Sequence, residues 1–136
     1  MTSQEQLQAQ VRAIAMDLDA VAEGRYNFYL GEIVSNDDFD VSDAESHDDN
    51  WESDFDGGFS RYFEDALDIE YRIDAQFRYR AAIITVAVGG PSIYVDTFEG
   101  VVKGFWWGDK ARANIWRNTV NKIDDLFEEY FECVHG

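Results

Sequence analysis

The chain has 136 residues, 46% of them hydrophobic and 15% aromatic, and a formal charge of -17. That length fits one domain able to bury about two thirds of its unfolded surface, and the apolar content excludes a globally disordered chain. The charge excludes a protein that binds DNA, RNA or anionic membranes directly, and steers the chain toward cationic partners.

The acidity is regional. Residues 1–74 hold 20 acids against Arg12, Arg25, Arg61 and Arg72, whereas residues 75–136 hold 8 acids and 7 bases. Cys133 is the only cysteine, so no internal disulfide can form and a reducing compartment is the simpler assumption. The first ten residues are polar and no apolar run approaches the ~18 residues of a membrane span, so the expectation is a cytoplasmic protein.

Leu7, Val11, Ile14, Leu18 and Val21 alternate spacings of four and three, which predicts a first helix over 3–23, with Ser3 and Gln6 in a capping-box arrangement. Gly24 is placed to end it in a left-handed conformation. Tyr26, Phe28, Leu30, Ile33 and Val34 then read as a short strand or packed arm.

Between Asn36 and Gly57 stand ten carboxylates, Asp37, Asp38, Asp40, Asp43, Glu45, Asp48, Asp49, Glu52, Asp54 and Asp56, with no lysine or arginine among them. Phe39, Val41, Trp51 and Phe55 are too few and too irregular for a core element, so a long acidic loop with aromatic anchors is expected. After Gly57 and Gly58, the residues Phe59, Tyr62, Phe63 and Leu67 fit one face of a short helix, with Glu64, Asp65 and Asp68 on the other side.

From Asp68 the period changes to two: Ile69, Tyr71 and Ile73 alternate with Asp68, Glu70, Arg72 and Asp74. Arg80 to Val88 reads as a central strand, Gly89-Gly90-Pro91 as a turn, and Ile93, Val95 and Thr97 as the next strand. Val101 to Trp107 follows a turn at Glu99-Gly100. Ala111 to Trp116 is either a further strand or the entry to a last helix, which carries Val120, Ile123, Phe127, Tyr130 and Val134 on one face, with Asn118 as N-cap. The predicted fold is α+β: an antiparallel meander of four or five strands packed against N- and C-terminal helices, with a long acidic loop and a short helix inserted.

No catalytic constellation stands out. Glu52-x-Asp54-x-Asp56-Gly57 mimics the first half of an EF-hand loop, but its twelfth position is Phe63, so neither a calcium site nor any other cofactor is expected. Glycosidase or magnesium sites need two or three carboxylates on rigid elements, not ten on one stretch. His47 and His135 lack metal-ligand spacing, and Cys133 near the end of an amphipathic helix reads as a structural thiol. Phe105, Trp106 and Trp107 send rings to both faces of one strand, so at least one ring should face solvent or cover a helix or a partner; core packing is the larger share, and an exposed ring would be a candidate anchor for a partner or a second copy.

Charge density gives the acidic run a positive reading. Duplex DNA carries one charge per ~3.4 Å of axis on each strand. Twenty residues holding ten acids space them ~6.6 Å apart when extended and ~3 Å apart at helical rise. A folded acidic loop can therefore match one strand, with Glu64, Asp65, Asp68 and Glu70 extending the stripe and Asp124, Asp125, Glu128 and Glu129 offering a second surface.

The segment from Glu64 to Trp107 supplies a resemblance. Its Glu-Asp-Ala-Leu-Asp-Ile-Glu-Tyr start, the Val86 to Thr97 core around Gly89-Gly90-Pro91, and Phe105-Trp106-Trp107 resemble small acidic proteins of phages and bacterial mobile elements. Some such proteins are anti-CRISPR or anti-restriction inhibitors. The resemblance implies a bacterial host cell and an anti-defence setting, and carries no individual functional residue. The expected function is that of a non-enzymatic nucleic-acid mimic that occupies the basic channel of a Cas effector or restriction enzyme. The alternatives are an immunity or adaptor protein that binds a basic toxin or other basic partner, a small metal-dependent hydrolase, and an acidic loop that serves solubility alone.

Overall fold

The computed structural model describes residues 2–28, 30–33 and 58–135, with the His135 side chain excepted. In chain order the elements are α1 (Ser3–Ala22), β1 (Tyr26–Asn27), β2 (Glu32–Ile33), α2 (Phe59–Tyr62), β3 (Asp68–Ile73), β4 (Tyr79–Ala87), β5 (Ser92–Asp96), β6 (Val101–Trp106), β7 (Asp109–Asn114) and α3 (Arg117–His135). β3 to β7 form a five-stranded antiparallel sheet in sequence order, and β1 and β2 form a separate small hairpin. The fold is α+β, with the strand after Gly108 realised as β7 and β5, not β4, at the sheet's centre.

Period-two alternation divides the sheet into two faces. Ile69, Ile84, Val95, Val102 and Ala113 lie opposite one another across all five strands, and this row faces the helices. α1 lies over β6 and β7, and α3 lies over β4 and against α1 and α2. Leu7, Val11, Leu18, Ile84, Val95, Val102, Ile123 and Phe127 are fully buried in the resulting core. Gly104 permits the closest approach: a Cβ there would stand 2.6 Å from Val11 Cγ2 and 2.7 Å from Leu7 Cδ1.

The ends of the elements differ from the sequence expectation in ways that polar chemistry explains. Thr2, not Ser3, caps α1, its hydroxyl accepting from the Glu5 N–H at 3.1 Å, while Ser3 donates to Asp109 at 2.5 Å. Gly24 takes a positive φ of 72° just past α1, as expected. Asn118 lies inside α3 rather than capping it. The cap comes from α1, where Asp19 Oδ1 accepts from the Trp116 N–H at 3.1 Å and from the fully buried Thr119 hydroxyl at 2.6 Å.

The buried face of α3 also differs, comprising Thr119, Val120, Ile123, Leu126, Phe127 and Phe131, while Tyr130 and Val134 are exposed. Leu67 leaves the α2 face and is exposed, because the chain has already turned into β3. Cys133 is an exposed thiol, against the expectation of a packed one.

Both outer strands of the sheet are managed. Gln4 and Gln8 of α1 donate to the outward carbonyls of Lys110 and Arg112 at 2.7 and 3.1 Å, satisfying part of the β7 edge. The β3 edge carries alternating charges and a register shift between Arg72 and Ile73, both of which discourage pairing with another strand. Among the described residues no helix is long and apolar enough to cross a membrane.

Candidate acidic binding surface

The ten carboxylates from Asp37 to Asp56 lie outside the described residues, as do His47, the anchors Trp51 and Phe55, and the EF-hand-like fragment. The remaining four predicted site residues, Glu64, Asp65, Asp68 and Glu70, are all exposed. They follow α2 directly and run into the first edge strand. Glycine is required at Gly58, where φ is +99° and a Cβ would stand 2.8 Å from the Phe28 ring. That turn releases the chain into α2, whose Phe59 is buried and stacks on Phe63 at 6.1 Å between ring centroids.

Phe63 then packs edge-on against Phe127 of α3 at 5.5 Å, and Tyr71 of β3 packs on Phe131 at 5.3 Å. These rings tie the segment bearing Glu64, Asp65, Asp68 and Glu70 to the helix bearing Asp125, Glu128, Glu129 and Glu132, all four exposed. The two acidic stretches anticipated from sequence thus belong to neighbouring elements. Asp124 is the exception on α3, for it turns inward and accepts from the Tyr79 hydroxyl at 2.6 Å. Burial raises its pKa above the ordinary carboxylate value, with the Tyr79 hydrogen bond opposing. Asp17 of α1 behaves alike: burial raises its pKa, and the Tyr62 hydroxyl donates to it at 3.1 Å. Both tyrosines are pushed up, chiefly by burial and then by the adjacent carboxylate.

The sheet face away from the helices carries a charge gradient. One row across it reads Asp68, Thr85, Tyr94, Lys103, Arg112, and the next reads Glu70, Ile83, Asp96, Val101, Asn114. Acids lie at the β3 end and bases at the β7 end. Two of the bases are engaged: Lys103 Nζ lies 2.8 Å from Glu99 and 3.4 Å from Asp96, and Arg112 lies 3.6 Å from Glu99, while Lys110, on the same face of β7, is exposed and makes no ion pair among the described residues. Glu99 first, with Asp96 in support, raises the Lys103 pKa. Arg72, the base nearest Glu70 in sequence, is stacked over the Phe98 ring at 4.3 Å. Among the described residues Glu64, Asp65, Asp68 and Glu70 make no ion pair.

Two features escaped the sequence reading. Thr85 is the one hydroxyl in the run Ala81 to Ala87 and is only 9% exposed, although it stands on the sheet face that none of the described helices covers. Its signal was a lone polar residue in an Ile/Val/Ala strand, which resembles an ordinary β-branched choice. Trp107 sits with Gly108 at the β6–β7 turn, and both have positive φ, 53° and 88°, as a two-residue hairpin turn of this hand requires. A tryptophan in that conformation is strained and here 87% exposed. Phe105 is exposed as well, while Trp106 packs against the core, which is how three consecutive aromatics are divided between two faces and a turn.

Among the described residues there is no group of three or more His, Cys, Asp or Glu placed to hold a metal ion. Comparison with protein-family models, curated proteins and solved structures finds no match for this chain.

Proposed function

We propose that this chain is an inhibitor that binds a basic nucleic-acid-binding protein, in the first place a bacterial defence nuclease of the Cas-effector or restriction type, and excludes its nucleic acid. The observation that carries the reading is the unpaired state of Glu64, Asp65, Asp68 and Glu70 among the described residues, directly downstream of a ten-carboxylate run, while Lys103 and Arg112 are held by acids at the sheet's other end. Carboxylates without internal partners keep their full attraction for an external cation, and a surface of one sign raises association rates with a partner of the other.

Asp68 and Glu70 project from the same strand face two residues apart, ~6.6 Å along the strand. That interval corresponds to every second charge of one duplex strand, two steps of which span ~6.8 Å of axis, so full charge density is asked of the run from Asp37 to Asp56.

Pull-down of Cas effectors and restriction complexes on the immobilised chain, at 50 and 500 mM salt, tests the reading. The expected result is capture of at least one at low salt and its loss at high salt, with capture also lost when the acids from Asp37 to Asp56 are replaced by Asn and Gln. Capture undiminished by that replacement would contradict the mimic mechanism.

A further inference from the structure

A groove opens at the acidic end of the sheet, on the face away from the described helices. It encloses about 380 Å³ and is lined by Leu67, Asp68, Glu70, Ile83, Thr85, Val88 and Tyr94. The volume lies at the low end of the ~300–1,000 Å³ usual for ligand sites, enough for one long side chain rather than a cofactor. We propose that this groove receives an arginine side chain from the surface of a basic protein partner. The proposal rests on the reading of the chain as a binder of basic proteins, and specifies where on it one residue of the partner is held.

Four features of the lining select that occupant. Asp68 and Glu70 project from one face of β3, are exposed, and make no ion pair among the described residues. They favour a cation and reject an anion. Between them and Tyr94 lies Thr85, a residue 9% exposed whose hydroxyl makes no hydrogen bond among the described residues. A buried hydroxyl without a partner is costly, and a donor entering the groove relieves that cost.

The rest of the lining is apolar or aromatic. Leu67 and Val88 are exposed, Ile83 is half-buried, and together they offer a surface for an aliphatic stem. Tyr94 supplies an aromatic wall suited to a guanidinium.

Arginine fits this set better than lysine. Its five N–H donors in a rigid fork can serve two carboxylates and a hydroxyl together, whereas an ammonium offers three donors from a single point. A divalent ion is disfavoured, because calcium requires six to eight oxygens and half of this lining is hydrocarbon.

The test is a heteronuclear NMR titration of the full chain with the peptide acetyl-Gly-Arg-Gly-amide, beside the same peptide with citrulline, the neutral isostere, or lysine. The arginine peptide should give saturable shifts at Ile83, Thr85 and Tyr94, lysine a weaker response, and citrulline none that saturates. The Asp68→Asn/Glu70→Gln double variant should raise Kd at least about fivefold, as loss of two exposed ion pairs implies. Thr85→Val should raise it about threefold, and the wild-type backbone spectrum elsewhere reports that each variant is folded.

Equal binding of citrulline, shifts spread over the acids of α3 instead of the groove, no saturable response, or a Kd unmoved by the double variant would each overturn the proposal. The two readings fail separately. Intact competition with nucleic acid beside a silent peptide titration removes the groove alone; a localised arginine response beside no competition removes the nuclease reading and leaves the groove.

Discussion

The two faces of the five-stranded sheet solve different problems with the same strands. Toward the helices, β4, β5 and β6 present Ile84, Val95, Val102 and Gly104, which close against Leu7, Val11 and Phe127 with no room for one further carbon at Gly104. On the other face the same strands present Thr85, Tyr94 and Lys103, flanked at β3 by acids that make no ion pair among the described residues and toward β7 by Arg112, paired with Glu99, and Lys110. Stability resides in the first face, and the proposed recognition would use the second. Substitutions should therefore separate cleanly by face.

The largest expected effect is on the packed face. Phe127 is fully buried and touches the Phe63 ring, so Phe127→Ala should cost about 3–5 kcal/mol in urea unfolding. Gly104→Ala should cost about 1–3 kcal/mol by forcing α1 away from β6, since Val11 or Leu7 must yield to the new methyl group. Asp19→Ala removes the cap of α3 and leaves the buried Thr119 hydroxyl without its partner, for a loss of about 2 kcal/mol by the same measurement.

The pH dependence sharpens the contrast further. Asp17 and Asp124 have folded pKa values raised above the ordinary 3.8, so the folded state takes up these protons before the unfolded state does. Stability should rise as pH falls from 7 through that raised range, and Asp124→Asn should flatten the rise. Repulsion within a chain of charge -17 acts in the same direction. Asp74 runs the other way: backbone hydrogen bonds, from Arg78 first, hold its pKa below 3.8, so its contribution is present at neutral pH and lost only as pH falls below the ordinary carboxylate value. On the face away from the described helices Asp68→Asn and Glu70→Gln should change stability by no more than about 0.5 kcal/mol, as expected of exposed positions, while weakening partner binding. A large loss of stability from either would mean that the open face also holds the fold together.

The fold was legible where one periodicity ran undisturbed. Spacings of three and four in α1 and the alternation from Asp68 to Tyr71 each arise from a single face meeting a single core, whereas Ile73, expected on the same face, lies past the register shift and is exposed. It was less legible where tertiary partners choose the outcome. The cap of α3 comes from Asp19, ninety-seven residues away from Trp116, and no local pattern at Asn118 reveals that. The true face of α3 includes Leu126 and Phe131 because the helix is turned toward the aromatic cluster of Phe63, Tyr71 and Tyr79.

The acidic surface was visible as charge density, and Glu64, Asp65, Asp68 and Glu70 are exposed as expected. The groove was not visible. Its lining joins three strands through a register that a linear sequence does not display, and Thr85 gains its meaning only from being buried with a hydroxyl that has no partner among the described residues.

The central claim, that the acidic surface competes with nucleic acid for a basic protein, is tested most directly by fluorescence-anisotropy displacement. A labelled DNA duplex is bound to each of a panel of Cas effectors and restriction enzymes, and the chain is titrated in at several salt concentrations. The account predicts displacement from at least one of them, with apparent affinity falling steeply as salt rises, and loss of displacement when Asp37 to Asp56 are neutralised. Simultaneous binding of the duplex and this chain, or displacement indifferent to both salt and neutralisation, would contradict it.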